Sequence, residues 1–196
     1  MANDTNEKAQ GMYDETGGFM AFCRHGFVLV IIDMVQSGEL WAFCFSLYRA
    51  ALTFFNSSKY PLATVKALLD AFGPNIGGGY DIGCKFGITL SRSPLGHQAK
   101  NLNYKALIGS FHGHAHNRLC QLRFLATYVK GMGLEDLEGG ERFFSKSNAL
   151  ASSIRHAGIF NRKQRIVEFA KHMDQNETYQ NLSKYLTILH LLSLTF

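Results

Sequence analysis

The chain has 196 residues, 46% hydrophobic and 18% charged, with a formal net charge of +5. This composition excludes a disordered or low-complexity chain and leaves room for one domain with a substantial core. The positive balance favours an anionic partner such as nucleic acid only weakly, because many soluble proteins are equally basic.

In chain order, residues 1–18 read as a polar N-terminal segment without a secretory signal, so reduced cytosol or nucleus is the expected compartment. Phe19–Arg24 predicts a strand, His25-Gly26 a turn and Phe27–Ile32 a second strand, together an antiparallel hairpin. Trp41–Ser58 holds one charge, Arg49, and its aromatics follow neither a 2.0 nor a 3.6 period. It approaches the length of a membrane span, but the central Arg49 and the diluting Ser and Asn favour a buried helix. Tyr60-Pro61 opens a helix in which Leu62, Val65, Leu68, Leu69 and Phe72 recur at helical spacing, and Gly73-Pro74 ends it. Gly77-Gly78-Gly79 leads into Tyr80-Asp81-Ile82, which predicts a short buried strand ending near Asp81. Residues 92–104 form a loop or helical insertion. A helix from about Asn117 to Lys130 would carry Leu119, Leu122, Leu125 or Ala126, and Val129 on one face, broken by Gly131-Met132-Gly133. Further helices are expected near Glu138–Asn148 and over Lys163–Met173, the latter amphipathic through Ile166, Phe169 and Met173. The run Tyr185–Phe196 is apolar, too short to span a bilayer and without a polar cap, so the chain reads as cut short there. No membrane attachment is expected.

Three segments carry chemistry. Asp81 lies at a predicted strand end, where a carboxylate must be solvated, hydrogen-bonded or bound to metal. Glu138 and Glu141 are three apart and share a helix face; one could complete a divalent-metal site with Asp81. Equally, Asp81 could cap a turn while Glu135, Asp136, Glu138 and Glu141 form a solvated patch at a helix start. Between them, His112, His114 and His116 alternate, so on a strand all three point one way. With Cys84 and Cys120 they offer zinc donors, to which Cys23 and His25 could add, although the spacing is not that of a zinc finger. Exposed histidines beside buried thiols fit the same residues. The four cysteines, Cys23, Cys44, Cys84 and Cys120, are too few for a disulfide scaffold of this length, and nothing marks an activated thiol. The densest basic set, Arg155, His156, Arg162, Lys163, Arg165 and Lys171, would track a phosphate backbone or form a solvated face.

Several pieces in order resemble the Kyakuja–Dileera–Zisupton (KDZ) transposases: Tyr13–Gly17, Cys23-Arg24-His25-Gly26, Tyr80-Asp81-Ile82-Gly83-Cys84, Gly109–His116, Cys120-Gln121 and Gly131–Asn148. The resemblance covers about residues 10–185, except for one interval. It implies a partial RNase H-like domain over 19–185, an α/β fold with a mixed sheet, flanking helices and a His/Cys-containing insertion. It further implies a D-D-E metal triad using Mg²⁺ or Mn²⁺, with zinc as an additional ion, for cleavage and strand transfer on DNA (transposon ends and target) in the nucleus. By position, Asp81 would be the second acid and Glu138 the closing glutamate, with Glu141 its near alternative.

Two departures stand out. The family's first aspartate belongs to an Asp-Gly-Asn-like segment ahead of Cys-Arg-His-Gly, and neither Asp14 nor Asp33 fits it. The resemblance therefore implies an inactive fragment. Family members also resemble Ser37–Leu40 running almost directly into Lys59–Leu62, so 41–58 reads as an insertion, a retained intron or a gene-model artefact, and 186–196 as an apolar tail. The competing expectations are a domesticated, non-catalytic module binding nucleic acid or protein, and a zinc-stabilised interaction domain.

Overall fold

The computed structural model describes residues 15–35, 58–154 and 156–193. Asp14, Cys44, Arg155 and residues 41–57 of the expected insertion lie outside the described residues.

β-branched and aromatic residues on either side of a short turn produce two eight-residue strands, β1 (Glu15–Phe22) and β2 (Val28–Val35). They pair as one two-stranded sheet. A turn of five residues cannot make a parallel crossover, so the strands run antiparallel. Within the turn, Gly26 adopts φ 98° and donates to the Cys23 carbonyl at 2.9 Å.

The chain divides into two compact units. Of the described residues, the first holds 15–20, 30–35 and 58–138; the second holds 21–29, 139–154 and 156–193. Besides its hairpin residues, the first contains α1 (Lys59–Phe72), which buries Tyr60, Pro61, Thr64, Val65 and Leu69. Pro61 suits the first turn, where its missing N–H is no loss, and Gly73 closes the helix at φ 75°. Phe72, expected on the apolar face, is exposed.

The expected strand at 80–82 lies earlier. The glycines themselves form β3 (Gly77–Gly79), and the chain turns at Asp81 into α2 (Gly83–Arg92). α3 (Gly96–Asn101) then returns the chain to β4 (Lys105–Leu107). β3 and β4 pair in parallel, Gly77 opposite Lys105 and Gly79 opposite Leu107. Two helices in the crossover are what a parallel pair requires. A bridge from Ile108 to Leu125 extends the parallel arrangement by one position.

Val65, Leu69, Phe86, Leu90 and Ala99 form the core of this unit, so α1 and α2 pack with α3. Leu107 and Ile108 are wholly buried beside it. The glycines of β3 are required by close neighbours. A Cβ on Gly77 would meet the Met132 side chain, one on Gly78 the Tyr104 ring and one on Gly79 the Leu137 side chain.

Beyond β4 come α4 (Ser110–Gly113) and α5 (Arg118–Phe124), followed by a 3₁₀ turn at Ala126–Tyr128. α5 is shorter than its pattern suggests, because Leu125 turns extended to make the bridge to Ile108. Leu119 and Leu122, expected on the apolar face, are exposed. Gly131 and Gly133 break the chain at φ 93° and 69°.

The second unit contains α6 (Gly139–Ile154) and α7 (Ile159–Met173), then a π-helical turn (Asp174–Thr178) leading into α8 (Tyr179–Ser193). Phe143 is its aromatic hub, with ring centroids 5.0 Å from Phe22 and 5.5 Å from Phe169. The hairpin tip also engages this unit: Phe27 packs edge-on against Tyr179, and Val28 donates to Asp174. The apolar run from Tyr185 continues α8 as far as Ser193, with Tyr185, Leu186, Ile188 and Leu189 exposed.

The described fold is thus mixed α/β, mostly helical, with two separate two-stranded sheets where one mixed sheet was expected. Among the described residues no helix is long and apolar enough to cross a membrane.

Candidate functional site

Asp81 sits just past the C-terminal end of β3. Tyr80 still donates to the Leu107 carbonyl at 3.0 Å, and Gly83 closes the turn by donating to Tyr80 at 2.7 Å. Gly83 is fixed by packing, since a Cβ there would overlap the Leu107 carbonyl oxygen. Asp81 therefore lies between a parallel strand and a helix start packed directly against the Leu107 backbone.

The histidine run is not a strand. Asp136 accepts from the Ser110 amide through its carbonyl, and Glu138 Oε1 accepts from the Phe111 amide, both at 2.8 Å. These bonds satisfy two donors at the start of α4, so residues 110–113 wind helically and His114–His116 form the turn that follows. The alternating histidines consequently diverge. His112 faces Asp81 and Glu138, His116 faces Cys84 and Cys120, and His114 is exposed and belongs to neither group.

In the acid group, Nδ1 of His112 lies 3.4 Å from Asp81 Oδ1 and 3.9 Å from Glu138 Oε2. Glu138 is the more buried carboxylate, its side chain 13% exposed against 34% for Asp81. It uses both oxygens, one on the Phe111 amide and one toward His112. Gly109 makes this possible, because a Cβ there would overlap Glu138 Oε1. Leu137, immediately before, adopts φ 61°, an unusual conformation for a bulky residue and one found where a structure constrains a functional segment. Asp136 Oδ1 accepts from the Glu138 amide at 3.0 Å. Glu141 lies on the first turn of α6, in the second unit.

In the thiol group, one donor atom each from Cys84, His116 and Cys120 lies within 4.8 Å of the others. His116 Nδ1 is 3.6 Å from Cys84 Sγ, and Nε2 is 3.0 Å from the Asp81 carbonyl oxygen. A carbonyl can only accept, so Nε2 is the donor in this bond, and Nδ1 faces the sulfur. Burial pushes the Cys84 thiol above its usual range, and the neighbouring Cys120 thiol adds to the shift. Gln121 pins the turn by donating from Nε2 to the carbonyls of Gly113, at 3.0 Å, and His116, at 2.9 Å. Asn117 caps α5, accepting from the Cys120 amide at 2.9 Å. Cys23 and His25 lie 3.9 Å apart at the hairpin tip, in the second unit.

Reading the sequence missed two parts of this arrangement. One is the bond from His116 to the Asp81 backbone, for which no residue pattern exists. The other is α2, whose signal was present: Ile82, Phe86 and Leu90 recur every fourth residue, interrupted by Gly83 and Gly87.

The model of the Kyakuja-Dileera-Zisupton (KDZ) transposase family matches residues 1–58 and 56–174. The chain belongs to that family, and its function is transposase-related. No curated protein and no solved structure matches it.

Proposed function

We propose that Asp81 and Glu138 are two acids of a D-D-E site for divalent-metal-dependent DNA cleavage and strand transfer, on an RNase H-like sheet to which β3 and β4 belong. The supporting observation is convergence. An acid beyond the carboxyl end of a parallel strand and a glutamate 57 positions later both face one nitrogen of His112. Sites on parallel sheets lie beyond the carboxyl ends of their strands.

The donor set of two carboxylates and one imidazole fits Mn²⁺ or Mg²⁺, with DNA phosphate oxygens as further ligands. Such an ion, when bound, polarises the phosphodiester and lowers the pKa of the attacking water or 3′-hydroxyl. Glu138 is oriented in advance by its bond to the Phe111 amide. Lys163, Arg165 and Lys171, exposed on α7, are suited to the DNA backbone. We assign no first aspartate, and nicking by residues 1–196 alone is expected to stay at background. Residues 41–58 are proposed as an insertion, testable by whether transcripts lacking those codons exist.

The experiment is a Mn²⁺ titration followed by electron paramagnetic resonance, with wild type, Asp81→Asn, Glu138→Gln and Glu141→Gln. The first two should weaken binding by more than the roughly tenfold that losing an outer-shell partner costs. Glu141→Gln tests the near alternative: a loss confined to this variant would make Glu141 the closing acid in place of Glu138. Wild-type affinity in the first two variants removes the assignment. Salt-sensitive DNA binding without Mn²⁺ binding would leave the non-catalytic module as the reading.

A further inference from the structure

We propose that the Phe111 ring stacks on an unpaired DNA base next to the phosphate that the acid group holds. The substrate is then DNA with a terminal, single-stranded or displaced base at that point, rather than an undisturbed duplex. This placement rests on the reading of Asp81 and Glu138 as acids of DNA cleavage.

Three observations set Phe111 apart from a stray apolar residue on the surface. It is 71% exposed, so it gives up most of the stabilisation that burying a ring brings. Its backbone is held by the acid group itself, through the amide that donates to Glu138 Oε1 at 2.8 Å. Its ring lies against His112, with centroids 5.5 Å apart and planes at 87°. Nδ1 of that histidine is in turn 3.4 Å from Asp81 Oδ1. In series these spacings put the phenyl within about 10 Å of the carboxylates, the length of about three stacked nucleotides. A DNA strand whose phosphate reaches the carboxylates therefore passes within reach of this ring.

The chemistry of a phenyl ring selects the part of DNA it meets. The ring has no donor, acceptor or charge, so it offers nothing to a phosphate. A base presents an apolar π-face, and aromatic stacking on it tolerates any sequence because every base has such a face. Inside a duplex, neighbouring bases cover both faces. Only a base at an end, in a single strand or turned out of the stack has a face to give. The imidazole of His112 is nearly perpendicular to the phenyl and does not cover it as a stacked ring would. A base seated there fixes the strand beside the cation and limits which phosphate lies in line for attack.

The test measures, by fluorescence anisotropy, binding of the full chain to duplex DNA with a short single-stranded overhang. The same duplex with abasic nucleotides in the overhang is the reference. Wild type should bind the intact overhang roughly tenfold more tightly than the abasic one. Phe111→Ala and Phe111→Leu should bind the two alike, whereas Phe111→Trp should keep the preference. The ring is exposed and the bond to Glu138 uses the backbone, so all three variants should keep the fold and the Mn²⁺ affinity of wild type. Added salt should weaken binding to both DNAs and leave their ratio in place, because the ring is uncharged. Equal affinity of wild type for the two DNAs, or binding to neither, would overturn the assignment. So would a preference that survives in Phe111→Ala; if that variant also loses self-association, the ring belongs to a protein contact. Mn²⁺ binding, read separately in wild type, Asp81→Asn and Glu138→Gln, shows whether the acid site has failed instead.

Discussion

The acid group and the thiol group share two stretches of chain, 81–84 and 112–120, to which the acid group adds Glu138, yet they offer opposite kinds of donor. Asp81 and Cys84 lie three residues apart on either side of a helix start. His112 and His116 lie four apart and face different groups. A short helix followed by a turn separates the two imidazoles, so one run of histidines joins two side-chain groups. The lesson is that ligand type and backbone shape decide a histidine's role together, and spacing alone does not.

The strongest way to break both groups at once is Gly83→Ala. Its new methyl would strike the Leu107 carbonyl and push α2 from β4. We expect a loss of about 3 kcal/mol in stability, measured by denaturant unfolding, with the geometry of both groups disturbed. The frame shared by the two groups has an alkaline limit as well. Burial pushes the Tyr104 phenol up to about 12, and its ring packs over Gly78. A raised phenol favours the folded state only while neutral. Stability is therefore full below about pH 10 and falls as pH rises toward 12, by about 2–3 kcal/mol, and Tyr104→Phe should flatten that fall.

The next two changes separate the groups. Glu138→Ala removes the acceptor for the Phe111 amide and should cost about 1–2 kcal/mol, whereas Glu138→Gln keeps an acceptor oxygen there and should cost less. Thermal unfolding of the pair isolates the structural share of this residue from its share in cation binding. Asn117→Ala acts on the thiol side alone. It removes the cap on the Cys120 amide and should cost about 1 kcal/mol, with Mn²⁺ binding unchanged. A Mn²⁺ affinity that falls in this variant would show the two groups to be more tightly joined than their separate supports suggest.

Much of the frame was legible in the sequence. Apolar spacing and a proline placed α1, and β-branched residues around His25-Gly26 placed the hairpin, because both signals are local. The order of short motifs gave the family. What escaped depends on distant partners. Leu125 satisfies a helical pattern but leaves the helix to bridge Ile108, a contact its neighbours in sequence do not report. The histidines alternate as a strand would, but Asp136 and Glu138 accept from the Ser110 and Phe111 amides, 26 and 27 residues earlier, and only His112 falls in the short helix that follows. Glu138 itself was visible as an acid, whereas its second task as a backbone acceptor was not.

A final consequence concerns β3. A strand made wholly of glycine has no inward and outward side chains to fix its pairing, and such strands slip easily. Here the lock is external: Met132, Tyr104 and Leu137 lean directly on the three positions. A slip of one residue would carry Asp81 about 3.3 Å along the strand and turn it to the opposite face. The alignment of the acid group thus depends on three large side chains that touch no ion.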